Sequence, residues 1–427
     1  MKKIWVLSLI LLLIPVHVYA EDEEETPEPT PTIDLVGPDI NAPSGILIDE
    51  ETGTILAKKD PTKHLPTTGL AKTMGVYLAT EKLKDNEEVK MSTEAFNSYD
   101  HRTNVIWVMD SESIPAIDLE HAAIMQNAND CMAMLAEKVG GSAEGFINQM
   151  NDKAQELEMK NTYYQNIFGF DGENNYTSAE DLAIITRKAL RNDSFRSAYS
   201  TTSYRIAPTA MQVNERILAA NCEMIRSGED HYEFATGCQV GYSQEGGYSV
   251  SVEANKDDTN LIAVVLGAST EKTAYQDAKT LLEYGFANYQ TITITPTQIG
   301  TKEFEVNDGN KHIADVTFSV DNAFKVLLPK SIDPSSLVVE VKTKNETSSN
   351  PDDLQAEVIF KLDGKQVGSS EMKKEVKMVG VEVEEKSRPL PWMIIDWISI
   401  AFLGFLILRQ LGKMLRPDDK HLEGTQE

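Results

Sequence analysis

The chain has 427 residues, 41% of them hydrophobic and 25% charged, enough for two or three domains of ordinary globular composition. Its 67 acidic residues outnumber 40 basic ones and give a formal charge of −27, which argues against a nucleic-acid partner and against adsorption to an anionic lipid surface. The seven histidines show no metal-ligand spacing among themselves or with the cysteines, so no metal and no cofactor is expected. Cys131, Cys222 and Cys238 are too few for a disulfide framework; Cys222 and Cys238 could pair if their strands are neighbours, but buried free thiols are the expectation.

Met1–Ala20 opens with Lys2 and Lys3, continues through an apolar run and ends on small residues, the pattern of a secretory signal peptide. Residues 21–38 are acidic and proline-rich and predict an extended linker. Gly45–Asp49 and Thr54–Ala57 read as a β-hairpin around Glu50 to Gly53. Lys72–Leu83, Asp118–Gln126, Asp130–Val139, Gly145–Leu157 and Ser178–Leu190 read as helices. Tyr248–Ala254 and Leu261–Leu266 alternate like strands of a sheet, and Ala274–Ala287 reads as a closing helix.

From Thr291 the texture changes to strands at short spacing: Ile313–Ser319, Phe324–Pro329, Leu337–Lys342, Ala356–Leu362 and Val376–Val383. This predicts a small β-sandwich module over 291–384, following a mixed domain over 39–288. Trp392–Leu408 is apolar, with tryptophans near one end and Arg409, Lys413 and Arg416 after it. That pattern predicts a transmembrane anchor over 391–412 and a cytoplasmic tail over 413–427, with Asp396 near the outer interface. The chain is thus expected at a cell membrane, its domains outside and its C-terminal helix in the bilayer.

Three short segments fall in the order of a known catalytic set, S-x-x-K, S-x-N and K-T-G. They are Gly69 to Lys72, Asn127 to Asn129, and Gln239 to Gly241. In such a set the serine attacks a carbonyl and the lysine one helical turn on manages its proton. The second motif lines the cleft, and the third binds the substrate backbone and its terminal carboxylate. Other signposts occur in the same order: Leu65-Pro66 before the first motif, Lys160 to Thr162 before Gly169 to Asp171, Ser178 to Ala183, and Gly247-Tyr248 after the third motif. The chain resembles the D-alanyl-D-alanine carboxypeptidases, low-molecular-mass penicillin-binding proteins of the serine peptidase class. The resemblance implies an α+β domain of the β-lactamase/transpeptidase type, an antiparallel sheet flanked by helices. It also implies a β module, a membrane anchor and a peptidoglycan stem peptide as ligand.

The departures fall on the chemistry. Gly69 stands where the nucleophilic serine belongs and Ala71 where a threonine is usual, while Lys72 is kept. Asn127 replaces the second serine while Asn129 is kept, and Gln239 and Val240 replace lysine and threonine while Gly241 is kept. The catalytic positions (Gly69, Lys72, Asn127, Asn129) therefore hold no intact set, and the binding positions (Gln239, Val240, Gly241) lack the cation and hydroxyl that hold a carboxylate. Thr68 is turned by about 100° from position 69 on a helix and does not replace the nucleophile. Lys72 is expected to fill the former site by bonding Asn127 and backbone carbonyls. Ser370 and Lys373 match S-x-x-K only by chance, and Cys131 reads as core. The leading expectation is a pseudoenzyme that binds a peptidoglycan stem peptide or a cell-wall or membrane protein. An active serine-type carboxypeptidase trimming stem peptides, and a purely structural spacer, are the alternatives.

Overall fold

The computed structural model describes residues 37–362 and 364–379. The signal peptide, nearly all of the acidic linker, the anchor and the cytoplasmic tail expected above lie outside the described residues. Among those described, no helix is long and apolar enough to cross a membrane. The chain divides into two compact units. The larger contains the described residues up to Gly300 with Val320–Lys342 and Glu357–Glu371; the smaller contains Thr301–Ser319, Thr343–Ala356 and the residues from Met372.

The larger unit is built on a five-stranded antiparallel sheet. Its strands are β1 (Ser44–Asp49), β2 (Ile55–Lys59), β3 (Ala235–Ser243), β4 (Gly247–Lys256) and β5 (Thr259–Ala268), in the spatial order β2-β1-β5-β4-β3. Leu261 to Leu266 at the sheet centre are buried on both faces. A strand buried on both sides reads as a continuous apolar run because helices cover both faces. The helices are α1 (Ala71–Lys82), α2 (Ala116–Met125), α3 (Asn129–Gly140), α4 (Ala143–Glu156), α5 (Ala179–Ala189), α6 (Asp193–Ser200) and α7 (Glu271–Asn288). Helix α7 packs on β4 and β5, while α5 packs against β1 and β5. Helix α1 is buried from Ala71 to Ala79, which fits a helix apolar on nearly all sides. Local signals set the helix starts: the hydroxyls of Ser142, Ser178 and Thr270 accept from the backbone N–H three residues on. This α+β architecture agrees with the expected sheet and helices.

Cys222 and Cys238 form a disulfide, with Cα atoms 6.0 Å apart. This corrects the expectation of free thiols. Cys238 lies on β3 and Cys222 just before a short helical turn (Glu223–Ile225), a proximity set by tertiary folding rather than by neighbouring strands. Cys131 is free and buried.

Beyond α7 the described chain is strand-rich, interrupted by the short turns Pro296–Ile299, Pro334–Ser336 and Pro351–Asp353. In the larger unit Tyr289–Ile294 pairs antiparallel with Phe324–Pro329. In the smaller, Lys302–Asp308, Lys311–Ser319 and Lys373–Met378 form a three-stranded antiparallel sheet around Val306, Ala314, Val316 and Phe318.

Candidate functional site

The first, second and third motif segments meet beside the edge strand β3. The turn Thr68–Leu70 leads into α1, Asn127 sits in the loop between α2 and α3, and Gln239 to Gly241 lie on β3. A cavity of about 520 Å³ opens there, lined among others by Gly69, Lys72, Asn127, Asn129, Val240 and Gly241. Gln239, next to Val240 on β3, is buried with 1% exposure and is not part of the lining. The approach of β3 to the turn is nearly backbone to backbone: a β-carbon at Gly241 would lie 2.8 Å from the Gly69 nitrogen and 2.6 Å from the Thr68 hydroxyl.

The replaced motif residues contact one another. Asn127, at φ +53°, is in the left-handed conformation that asparagine tolerates better than most side chains. Its amide donates to the Val240 carbonyl at 2.7 Å. Its oxygen lies 2.8 Å from where a β-carbon on Gly69 would sit. The Gln239 amide makes long contacts of 3.4 Å to that oxygen and to the Gly69 carbonyl, while its own oxygen accepts from the Thr73 hydroxyl at 2.6 Å. Gly69, Thr73, Asn127 and Gln239 thus form one polar cluster beside the cavity. Thr73 went unnoticed in the sequence, although it directly follows Lys72.

Lys72 is fully buried and donates to the Phe168 carbonyl at 2.7 Å. Asn127, the partner expected from sequence, is committed to Val240 instead. Burial pushes the Lys72 ammonium down to about 7. The carbonyl it meets is held by a sequence-local device. The side-chain oxygen of Asn166 accepts from the backbone N–H groups of Phe168, Gly169 and Phe170 at 2.8 to 3.1 Å. Gly169 takes φ +83°, and a β-carbon there would fall 1.6 Å from the Thr68 carbonyl oxygen. Asn175 ties the same loop to the first motif by donating to the Thr67 hydroxyl at 2.9 Å and to the Phe170 carbonyl at 2.7 Å.

Asn129 donates to the Thr103 hydroxyl at 2.8 Å, and its side-chain oxygen is buried without a hydrogen-bond partner among the described residues. Thr68 is buried at φ +52°, and its hydroxyl likewise lacks a partner among them. Asp130 accepts from the backbone of Ile106 and Val108 at 3.0 and 3.1 Å and so fixes the loop that brings Thr103 and Asn104 to the cavity. Ser370 lies on the strand Lys365–Glu371 and Lys373 on the next one, in no relation to this cavity's lining.

The lining also includes Asn221, Arg226, Tyr242 and Tyr248, outside the three motifs; of these only Tyr248 is singled out in the sequence. Asn221 and Arg226 come from the segment bonded to β3 through Cys222–Cys238, and Tyr242 and Tyr248 face each other across β3 and β4 with ring centroids 4.7 Å apart. The pair Tyr242–Tyr248 was accessible from the hairpin register, since both flank the Ser243 to Gly247 turn.

A model of the D-alanyl-D-alanine carboxypeptidase family matches residues 30–270. The D-alanyl-D-alanine carboxypeptidase DacF of Bacillus subtilis (strain 168) is 27% identical over 312 residues, covering 72% of this chain and 78% of that protein. The D-alanyl-D-alanine carboxypeptidase DacA of Haemophilus influenzae is 26% identical over 352 residues, covering 78% and 84%. Among solved structures, penicillin binding protein 5 from Haemophilus influenzae superposes with a TM-score of 0.64 at 23% identity, covering 81% of this chain and 98% of that one. Penicillin binding protein 6B from Escherichia coli gives 0.61 at 21% identity, covering 81% and 97%. The structural likenesses establish a shared penicillin-binding, transpeptidase-like fold. With the family match extending over more than half of its length, the chain belongs to the D-alanyl-D-alanine carboxypeptidase family.

Proposed function

We propose that this family member has given up acyl transfer and acts at the bacterial envelope as a binding or scaffold protein of cell-wall metabolism. The observation that carries this reading is the Asn127 side chain, which occupies the space next to Gly69 that a nucleophile would need. Acyl transfer requires an attacking group and a base within hydrogen-bond reach. Position 69 supplies no attacking group, and the Lys72 amine is engaged with the Phe168 carbonyl. Position 239 supplies an amide turned toward Thr73 rather than a cation turned toward substrate. The cavity remains open, which favours binding over a purely structural spacer.

The envelope location rests on the N-terminal signal pattern, on relatives named as D-alanyl-D-alanine carboxypeptidases, and on the Cys222–Cys238 disulfide, a bond that persists in oxidising compartments. The C-terminal apolar stretch would tether the protein to the membrane, with the β-rich segment between anchor and cleft domain. The ligand would be a peptidoglycan stem peptide or a wall-associated protein.

Two assays on the purified full-length chain test the reading. Release of D-alanine from a D-alanyl-D-alanine peptide should be absent, and the chain should co-sediment with isolated peptidoglycan. Turnover that survives removal of contaminating enzymes would establish the working carboxypeptidase instead.

A further inference from the structure

Resting on the reading that the cleft still holds a wall-derived ligand, we propose that Arg226 anchors a ligand carboxylate there, from a different element than the third motif. The cavity is lined by two cationic side chains, Lys72 and Arg226. The Lys72 amine is fully buried and spent on the Phe168 carbonyl. Arg226 is half-buried, and one guanidinium nitrogen, Nη1, donates to the Ala220 carbonyl at 3.0 Å. Among the described residues it forms no ion pair. Arg102, Arg196, Arg205 and Arg216 each hold a carboxylate partner, whereas Arg187 and Arg191, like Arg226, bond backbone carbonyls; of these three only Arg226 lines the cavity. The one acidic residue lining the same cavity, Glu271, accepts from the Tyr275 hydroxyl at 2.9 Å instead.

The position of Arg226 is built rather than incidental. Its backbone N–H closes the turn on the Glu223 carbonyl at 3.0 Å, and Asn221 N–H bonds the Met125 carbonyl at 2.7 Å. Between them the disulfide joins Cys222 to Cys238, the residue before Gln239. The segment is thereby tied at two points to the elements that form the cleft, and its own turn is closed by the third contact. A guanidinium offers paired donors in a fixed plane, which suits a carboxylate better than any neutral ligand. Gln239 presents no charge, and its amide oxygen is taken by Thr73. Tyr242 and Tyr248 give the cavity an apolar wall beside these polar groups. The ligand class is a short peptide or acylated amino acid with a small apolar body and a free C-terminal carboxylate.

The test titrates the full-length chain with N-acetyl-L-lysyl-D-alanyl-D-alanine and, separately, with its C-terminal amide, following both by calorimetry. A charge-assisted contact should make the wild type bind the acid about ten-fold or more tighter than the amide. Arg226→Gln should bring the two within about two-fold while leaving amide affinity in place, and Arg226→Lys should restore part of the preference. An unchanged thermal midpoint establishes that each variant is folded. If the wild type binds acid and amide equally, or Arg226→Gln keeps the preference, the role of Arg226 is overturned while the ligand-binding reading stands. If the wild type binds neither peptide, both fall.

Discussion

The side-chain oxygen of Asn127 lies 2.8 Å from the point where a β-carbon on Gly69 would be, closer than such contacts occur in real proteins. Positions 69 and 127 are therefore sterically coupled: the Asn127 side chain fills the space that a side chain at 69 would need. Restoring a serine at 69 alone overpacks the site, which costs typically about 1–3 kcal/mol. Gly69→Ser should lower the urea midpoint on its own, and Asn127→Ser beside it should recover a large part of the loss. A double-mutant cycle should show coupling of about 0.5–3 kcal/mol. Equal costs of Gly69→Ser with and without Asn127 would mean that the two positions are independent.

Recovery of chemistry needs more than the first pair. Gly69→Ser, Asn127→Ser, Gln239→Lys and Val240→Thr together should restore measurable acylation by a β-lactam, whereas Gly69→Ser alone should not. Residues acting as a unit are strongly non-additive, and carboxylate positioning supplies much of the rate. A folded quadruple variant that stays unlabelled over hours would mean the cleft has been remodelled beyond these side chains.

Lys72 sets a pH dependence of stability. Its folded-state value is lowered to about 7 from the ordinary 10.5, by burial. Between these values the unfolded chain binds more protons than the native one, so this lysine makes stability rise with pH across that window. Below about 7 the native state bears the full cost of a charged buried amine. Lys72→Met removes the titration. Measured by urea unfolding from about pH 6 to about pH 10, its stability relative to wild type should be highest at the acidic end and fall steadily toward the alkaline end. A difference that does not vary with pH would rule out a neutralised buried lysine.

Gly169 and Gly141 make a matched pair. Both have positive φ, +83° and +73°, but a β-carbon at Gly141 meets nothing within 4 Å while one at Gly169 strikes the Thr68 carbonyl. Gly141→Ala should cost about 1 kcal/mol of backbone strain. Gly169→Ala should cost at least about 3 kcal/mol, because backbone has to move as well. Thermal midpoints in the reverse order would contradict the close approach of the Asn166–Phe170 loop to the first motif.

The Cys222–Cys238 bond closes a loop with a sequence separation of 16. Replacing both cysteines by serine should cost about 3 kcal/mol by loop entropy. Denaturation under reducing and non-reducing conditions provides the check: the wild type should respond to reductant and the double variant should not.

Much of this structure is legible in the residues because apolar periodicity reports burial directly. Leu261–Leu266 reads as a sheet strand, though as an alternating one rather than one buried on both faces, and Ser178–Leu190 reads as an amphipathic helix. The motif order locates Gly69, Asn127 and Gln239 without coordinates. What the residues leave out is tertiary. Helix α6 is short and polar, capped by the Asn192 side chain, so its periodicity is too brief to register. The disulfide joins a strand to a turn, which no local pattern announces. Lys72 finds Phe168 rather than Asn127 because Asn166 presents a backbone carbonyl 96 residues away in sequence. Arg226 carries no motif; its lack of an acidic partner appears only once the neighbours are in place.

The most direct measurement on the central claim is the intact mass of the purified chain after prolonged incubation with a β-lactam. The expected result is an unchanged mass, because position 69 offers no hydroxyl. A stoichiometric mass increase equal to the antibiotic, mapped by digestion to any residue of the chain, would contradict it.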